Sequence, residues 1–195
     1  PNLIIVCVPP DVTAAVVARE LEAHPEAFVT DVASVKSAIL EQLRQNGSDL
    51  SRYVGSHPMA GRERGGAASG RADLFFGRVW VVVPSETSSA KARQAVENLA
   101  LDLSSAPVEA SAAEHDRAVA FVSHVPQLIS SITAASLIDA SDEDIALAGQ
   151  GVRDTTRIAA SNPKLWLQIL SANAPEVLAV LRNVQNDLGA VMQAL

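Results

Sequence analysis

The sequence predicts an α/β part followed by an almost entirely helical part, with the boundary near residues 85 and 86. In the first 84 residues, short apolar stretches typical of buried strands alternate with stretches of helical periodicity. This alternation is typical of a parallel α/β sheet. From residue 86 onward the chain is rich in alanine, and its apolar residues recur at helical spacing.

Four strands and two helices are expected in the first part. The apolar run LIIVCV is typical of a strand that is buried on both faces, and it would bury the only cysteine, Cys7, as an inert thiol. Both helices lie between strands, and Gly47 ends the second of them. The expected strands cover residues 3–8, 27–34, 53–57 and 78–85, and the helices cover residues 13–24 and 34–47.

The second part carries clear helix-start signals. Ser111 and Glu114 form a capping-box pattern, and Asn162 before Pro163 is a good N-cap and first-turn pair. Pro175 is expected to begin the last helix. The helices are apolar on more than one face, which predicts burial against a second copy of the chain.

Composition narrows the possible functions. A net charge of −7 and a pI of about 5.0 argue against a nucleic-acid partner, which needs a basic surface. No run reaches the ~18 apolar residues that span a bilayer, so we expect no membrane partner. A lone cysteine fits the reducing cytoplasm. The four histidines show no metal-ligand spacing. Since the chain enters a strand directly after Pro1, we expect an N-terminal portion to be missing.

Three loops follow expected strand ends, and their polar residues should meet in one crevice. In open parallel sheets, ligands bind outside the carboxyl ends of the strands. The loops are VPPD at 8–11, DVASVK at 31–36 and GSHPMAG at 55–61. Taken singly, Ser34 could cap the following helix and His57 could be a turn histidine. Together they predict a site.

The phosphate-binding glycine signature is missing. No G-x-G-x-x-G pattern occurs in the sequence, and the glycines at 65–70 follow no strand directly. A complete dinucleotide site is therefore not predicted from these residues.

The helical part holds two further polar clusters. Ser123 and Gln127 are spaced to share one helix face, as substrate contacts or as a polar seam between helices. Asp154, Arg157 and Trp166 surround an expected helix end. Arg157 could pair with Asp154 within the helix, or could bind a substrate carboxylate with two parallel hydrogen bonds.

The segments GSHPMAG, DVASVK, EHDRAVAFVSHVPQ and RDTTRIAASNPKLW occur in this order. In these segments the chain resembles the prephenate and arogenate dehydrogenases of tyrosine biosynthesis, over nearly its whole length. The resemblance implies that residues 1–85 are the C-terminal part of a Rossmann-type dinucleotide-binding domain without its first strands and glycine loop. It implies that residues 86–195 form a helical domain for dimerisation and substrate binding, lacking its final helices.

The resemblance also implies a reaction, its cofactor and its residues. Prephenate would be oxidised by NAD or NADP and would lose carbon dioxide, in a cytoplasmic homodimer. His57 would be the catalytic base, oriented by Ser34. The substrate-binding residues implied are Arg157, Ser123, Gln127, Asp154, Glu63 and Trp166. The cofactor-binding residues implied are Val8, Pro9, Pro10, Asp31 and Ser34.

Other functions stay open. Many prephenate-using members have a histidine where this chain has Gln127, so arogenate is an alternative substrate. A different dehydrogenase with a helical dimer domain, or a non-catalytic helical dimerisation module, would share parts of the pattern.

Overall fold

The computed structural model describes residues 1–61 and 70–195. Among these residues, the first half of the chain forms a strand and helix arrangement, with a 3-10 turn at Leu50–Arg52 before the third strand. The strands are β1 Leu3–Val6, β2 Phe28–Asp31, β3 Val54–Pro58, β4 Val79–Pro84 and β5 Ala106–Glu109. The helices between them are α1 Pro10–Ala23, α2 Ser37–Gln45 and α3 Ala90–Asp102.

The strands follow one another across the sheet in chain order. β1 pairs with β2 in parallel, and an isolated parallel bridge between Val29 and Tyr53 joins β2 to the start of β3. β4 runs antiparallel to β3 and parallel to β5. The sheet is therefore mixed rather than wholly parallel, because the chain reverses between Pro58 and Val79 and returns beside β3.

Helices cover both faces of the sheet. Val29 of β2 packs in the core under α1 and α2, whereas the neighbouring Phe28 packs in the core under α3. This alternation is the period of two of a strand. β1 is less buried than expected, since Ile5 is 41% exposed. Cys7 is also exposed rather than buried, because it lies beyond the last residue of β1.

The second half is helical. A π-helical turn at Ala120–His124 joins the first two helices, and a 3-10 turn at Arg157–Ala160 follows the fourth. The helices are α4 Ala112–Val119, α5 Val125–Ser136, α6 Asp142–Ala146, α7 Gln150–Thr156, α8 Pro163–Ala172 and α9 Ala174–Ala194.

The expected helix starts are present. Ser111 and Glu114 make both hydrogen bonds of a capping box at α4. The Asn162 side chain accepts from two backbone N–H groups in the first turn of α8. A proline stands in the first turn of α9, as expected from Pro175.

The α/β arrangement extends further than the sequence suggested. α3 packs against β4, and β5 completes the sheet beside β4. The helical part therefore begins after Glu109 and not at residue 86. The helical periodicity of residues 86–103 belongs to a helix that covers the sheet.

The two parts are packed together through α8. Ile169 is buried in the core under α1 and α2, with Trp166 packed against the same core. The Gln168 amide donates to the Asp11 carboxylate at the start of α1 over 2.8 Å. These contacts hold the helical part against the face of the sheet that carries α1 and α2.

Within the described residues, the helical segment Ala112–Ser136 is long and apolar enough to cross a membrane, by length and composition alone. One such segment is weak evidence for a span, because a core helix of a soluble protein passes the same test. Ala120 and Val125 of this segment are buried against α9 residues in the helical core.

Candidate active site

β3 carries His57 to the sheet edge where the parallel strands β1 and β2 end. Ser56, just before it, is fully buried. The Thr30 hydroxyl donates to the Ser56 hydroxyl over 3.0 Å, and the Ser56 hydroxyl donates to the Asp31 carbonyl over 2.9 Å. These bonds fix the end of β3 beside the end of β2 and so fix the backbone at His57.

A buried charged cluster lies beneath this edge. The Asp31 carboxylate accepts from Lys36 Nζ, from Tyr53 Oη over 2.7 Å and from the Ala33 N–H over 2.9 Å. Lys36 Nζ also donates to the Ser56 carbonyl over 2.7 Å. Asp31 is fully buried, and its carboxylate bonds to internal partners rather than facing the surface of the crevice. Asp31 instead supports the strand that bears the histidine.

Burial sets the charge states of this cluster. Burial lowers the pKa of Lys36 from its usual value, while the attraction and hydrogen bond of Asp31 oppose that change. Burial and the negative charge of Asp31 raise the pKa of Tyr53 well above its usual value. Tyr53 therefore stays a neutral donor to the carboxylate at neutral pH.

His57 is the first member of a chain of three side chains. Its Nδ1 lies 2.8 Å from Nε2 of His115, and Nδ1 of His115 lies 2.7 Å from Oδ1 of Asp116. The two imidazole rings meet edge to face, with centroids 5.1 Å apart. His115 and Asp116 lie in α4 and are both buried, whereas His57 is partly exposed.

The geometry assigns the protons along this chain. A carboxylate only accepts hydrogen bonds, so Nδ1 of His115 carries a proton and donates to Asp116. We assign Nε2 of His115 as the acceptor and Nδ1–H of His57 as the donor of the hydrogen bond between the two rings. The lone pair of a neutral His57 is therefore at Nε2, the atom that remains for a ligand.

The charges around His57 favour its neutral form. Burial is the main cause that lowers the pKa of His57 well below its usual value; repulsion from His115, Lys36 and His124 in their protonated forms adds to it, and Asp116 opposes them. Burial raises the pKa of Asp116, but the hydrogen bonds from His115 and Ser37 outweigh it and lower that pKa. At neutral pH His57 is therefore neutral, and its ring is backed by His115 and the Asp116 carboxylate.

Asp116 also joins the two parts of the molecule. Its carboxylate oxygens accept from the N–H groups of Lys36 and Ser37, over 2.9 and 2.8 Å, at the start of α2. α2 thus receives its N-terminal cap from α4. The residue at the N-cap position is Lys36, so the possible capping role of Ser34 is not found.

A second buried histidine extends the network toward the helical part. The Asn173 amide donates to the Asp116 carbonyl over 2.8 Å and lies 3.0 Å from Nδ1 of His124. The His124 ring meets the Trp166 ring edge to face at 5.9 Å between centroids. Trp166 is therefore linked to the His57 network through His124.

Arg157 lies in a turn that α5 holds in place. Gln127 is buried, and its amide donates to the carbonyl of Ile158 over 2.9 Å, next to Arg157. Asp154 is exposed in α7 and accepts from the Gln150 amide over 2.8 Å. Ser123 is partly exposed in the π-helical turn, so the regular α-helical spacing assumed for Ser123 and Gln127 is interrupted there.

The residues expected along the cofactor differ in their exposure to solvent. Pro9 is exposed and Val8 is partly exposed after β1, and Ser34 is partly exposed after β2. Pro10 is buried in the first turn of α1, where it shapes the turn. Glu63 lies outside the described residues. The structure describes no group of three or more His, Cys, Asp or Glu suited to a metal within residues 1–61 and 70–195.

Sequence reasoning missed most of the residues that surround His57. The sequence pattern gives His115 no partner and does not single out Lys36, Asp116 or Asn173. The available signal was the adjacent His-Asp pair directly after the capping box. A histidine and a carboxylate near the start of a helix can reach a neighbouring helix or strand, but only the fold identifies which one.

Two family models cover almost the entire chain. The model of the prephenate dehydrogenase nucleotide-binding domain matches residues 1–108, and the model of the prephenate dehydrogenase dimerization domain matches residues 111–195. The chain belongs to the prephenate dehydrogenase family. The predicted fold class, a nucleotide-binding part followed by a helical part, is confirmed.

Individual members of the family agree with this assignment. The chain is 33% identical over 195 residues to the Streptomyces niveus protein named "Probable prephenate dehydrogenase NovF", covering 100% of this chain and 54% of that protein. The chain spans about half the length of the curated relatives that it matches first.

Solved structures of the family share the fold. A prephenate dehydrogenase from A. aeolicus, in complex with hydroxyphenyl propionate and NAD+, superposes with a TM-score of 0.89 at 25% identity, over 99% of this chain and 68% of that one. An arogenate dehydrogenase from Synechocystis superposes with a TM-score of 0.80 at 29% identity, over 98% of this chain and 70% of that one.

Proposed function

We propose that the protein oxidises and decarboxylates prephenate to 4-hydroxyphenylpyruvate with NAD or NADP, as a step of tyrosine biosynthesis. The observation that carries the proposal is His57, a neutral histidine at the carboxyl edge of the sheet whose Nδ1 is held by His115 over 2.8 Å. A base with its lone pair at Nε2 suits a substrate that must lose a hydroxyl proton.

His57 acts on the hydroxyl group of the cyclohexadiene ring. Its Nε2 takes the hydroxyl proton as a hydride leaves the same carbon, which makes a carbonyl. Carbon dioxide then leaves from the opposite ring position, and the electron pair of the broken bond makes the ring aromatic. The proton returns from Nε2 to the oxygen, so no net proton is released. Aromatisation supplies the driving force, and the chain's task is to position the substrate and move this proton.

The described residues fit the nicotinamide end of the cofactor. The loops after β1 and β2 leave the same sheet edge as His57 and keep surface available at Val8, Pro9 and Ser34. In our proposal these three residues line the nicotinamide, and the buried Asp31 supports the strand ends below them. The chemistry supplied by a bound nicotinamide is the acceptance of a hydride from the ring carbon that carries the hydroxyl.

Arg157 is the residue that we propose for a substrate carboxylate. It is exposed in a turn whose neighbour Ile158 is fixed by the buried Gln127. A guanidinium group can hold a carboxylate with two parallel hydrogen bonds. We also assign Trp166 to the pocket wall, through its contact with His124, and Ser123 and Asp154 to the rim.

We propose a homodimer in the cytoplasm. Large apolar side chains of the helical part remain exposed in the single chain, which supports burial against a second copy. They include Ile132, Leu167, Leu178, Leu188, Val191 and Met192.

The test follows the absorbance of the reduced cofactor in the full-length protein. Prephenate and arogenate are each assayed with NAD+ and NADP+. The proposal expects prephenate turnover, with His57→Ala lowering kcat by ~10²–10⁴, the usual contribution of a general base. The matched control is His24→Ala at a partly exposed histidine, which should keep wild-type kcat.

Two outcomes would change the assignment. Full turnover by His57→Ala would exclude its role as the base. Turnover of arogenate with no turnover of prephenate would assign the amine-bearing substrate instead, in line with the neutral Gln127 in place of a second histidine.

A further inference from the structure

We infer that His115 and Asp116 are positioning residues that keep His57 in the one tautomer able to accept the substrate proton. This inference rests on the proposed function, since it describes how the proposed base is prepared. Neither residue touches the reacting hydroxyl. Each acts through the hydrogen bonds that end at Nδ1 of His57.

The direction of these hydrogen bonds is set from the carboxylate outward. Asp116 accepts from Nδ1 of His115 over 2.7 Å, and His115 in turn has its acceptor nitrogen 2.8 Å from His57. A free neutral histidine divides its proton between the two ring nitrogens. Here the acceptor at His115 draws the proton of His57 to Nδ1 and leaves Nε2 unprotonated.

Asp116 is itself rigid. Besides His115 it holds two backbone N–H groups at the start of α2, and its own carbonyl accepts from the buried Asn173 amide. A carboxylate with three hydrogen-bond partners, in a residue that is 2% exposed, has little freedom to turn. The packing of α4 against α2 therefore determines the orientation of His57.

The same chain stabilises the protonated base. When Nε2 of His57 gains a proton, its Nδ1–H becomes a stronger donor to His115, whose ring is polarised by Asp116. The ionisable groups that face His57 are Lys36 before α2, His115 and Asp116 on α4, and His124 in the π-helical turn. Among them Asp116 is the one anion that favours the imidazolium.

Two substitutions at His115 separate its two hydrogen bonds. An asparagine amide lies near the position of Nδ1, so His115→Asn keeps a donor for Asp116 and loses the acceptor for His57. A glutamine amide lies near the position of Nε2, so His115→Gln keeps an acceptor for His57 and loses the bond to Asp116. Both variants remove the ring, and their cost in packing is similar.

In the full-length enzyme we expect His115→Asn to lower kcat by about 10- to 100-fold with KM little changed, the range for partners that orient a functional histidine. We expect His115→Gln to recover most of that loss. His24→Gln is the matched surface control. A purely structural role of His115 would make His115→Gln no better than His115→Asn, because His115→Gln loses the bond that orients the Asp116 carboxylate. Equal kcat in both variants would overturn the inference.

A measurement without substrate keeps this result separate from the proposed function. Nitrogen NMR of the imidazole rings reports which nitrogen of His57 carries the proton. We expect protonated Nδ1 and bare Nε2 in wild type and in His115→Gln, and a mixture of tautomers in His115→Asn. Should wild type turn over neither substrate, the proposed function fails and the NMR pattern alone decides the inference. A mixed tautomer in wild type overturns it.

Discussion

Acid should destabilise the folded protein through His124, well before the carboxylates are protonated. His124 is 1% exposed, and its pKa falls to about 4, mainly because burial disfavours the charged ring. Asp116 opposes this change and His115 adds to it. An unfolded chain would bind the proton near the ordinary value of about 6.5.

The sign and size of the effect follow from this difference. Between about pH 6.5 and pH 4 the unfolded chain binds a proton that the folded chain does not, so the free energy of unfolding falls as the pH falls. The contribution of His124 is fully present above pH ~6.5. Roughly 2 kcal/mol is lost by pH 5 and roughly 3 kcal/mol by pH 4. Against a typical total of ~5–15 kcal/mol this is a large loss. His57, whose pKa is also lowered, acts in the same direction.

Urea unfolding followed by tryptophan fluorescence at a series of pH values measures this loss. His124→Gln removes the titrating ring and keeps an amide that can bond to Asn173. Wild type should lose about 2 kcal/mol more than His124→Gln between pH 8 and pH 5, with His24→Gln as the control for losing one histidine. If the wild-type and His124→Gln curves are parallel over this range, His124 does not stay neutral in the folded protein, and the reasoning is refuted.

Two further substitutions test the packing around the site and the start of α4. A Cβ at Gly55 would lie 3.1 Å from Tyr53 Oη and 3.3 Å from Cδ of Lys36. Gly55→Ala should therefore lower the free energy of unfolding, measured in urea, by ~1–3 kcal/mol, the range for overpacking. An unchanged free energy of unfolding would mean that the side chains of Tyr53 and Lys36 can move aside without cost. Ser111→Ala removes the capping hydroxyl and should lower the free energy of unfolding by about 1 kcal/mol, and Ser111→Asp should restore most of this loss. An unchanged midpoint in thermal or urea unfolding would show that the capping box does not stabilise α4.

The sequence was most informative where local chemistry decides the structure. The alternation of patterns predicted the strand and helix order of the first half, and the capping residues Ser111 and Asn162 predicted helix starts that the structure confirms. Local patterns also located the strand end that carries His57.

Long-range packing decided what the sequence could not. Residues 90–102 have the periodicity of any amphipathic helix, and only the pairing of β5 with β4 assigns them to the sheet. The direction of β4 depends on how the chain returns from β3, which strand composition does not encode. The partners of His57 lie about 60 residues away in the sequence, and nothing in their own segment specifies the contact.

The cap that Asp116 places on α2 also affects how fast the protein folds and how often α4 opens. The contact joins residues 79 and 80 positions apart, so it closes a long loop and belongs to the slower class of folding contacts. α4 is also a short helix that begins at an exposed capping box. A local opening that lifts α4 from α2 would release the proton of His57 to either nitrogen while the sheet stays folded. The tautomer of the proposed base is therefore kept only as long as α4 stays packed against α2, and it can be lost while the rest of the fold remains intact.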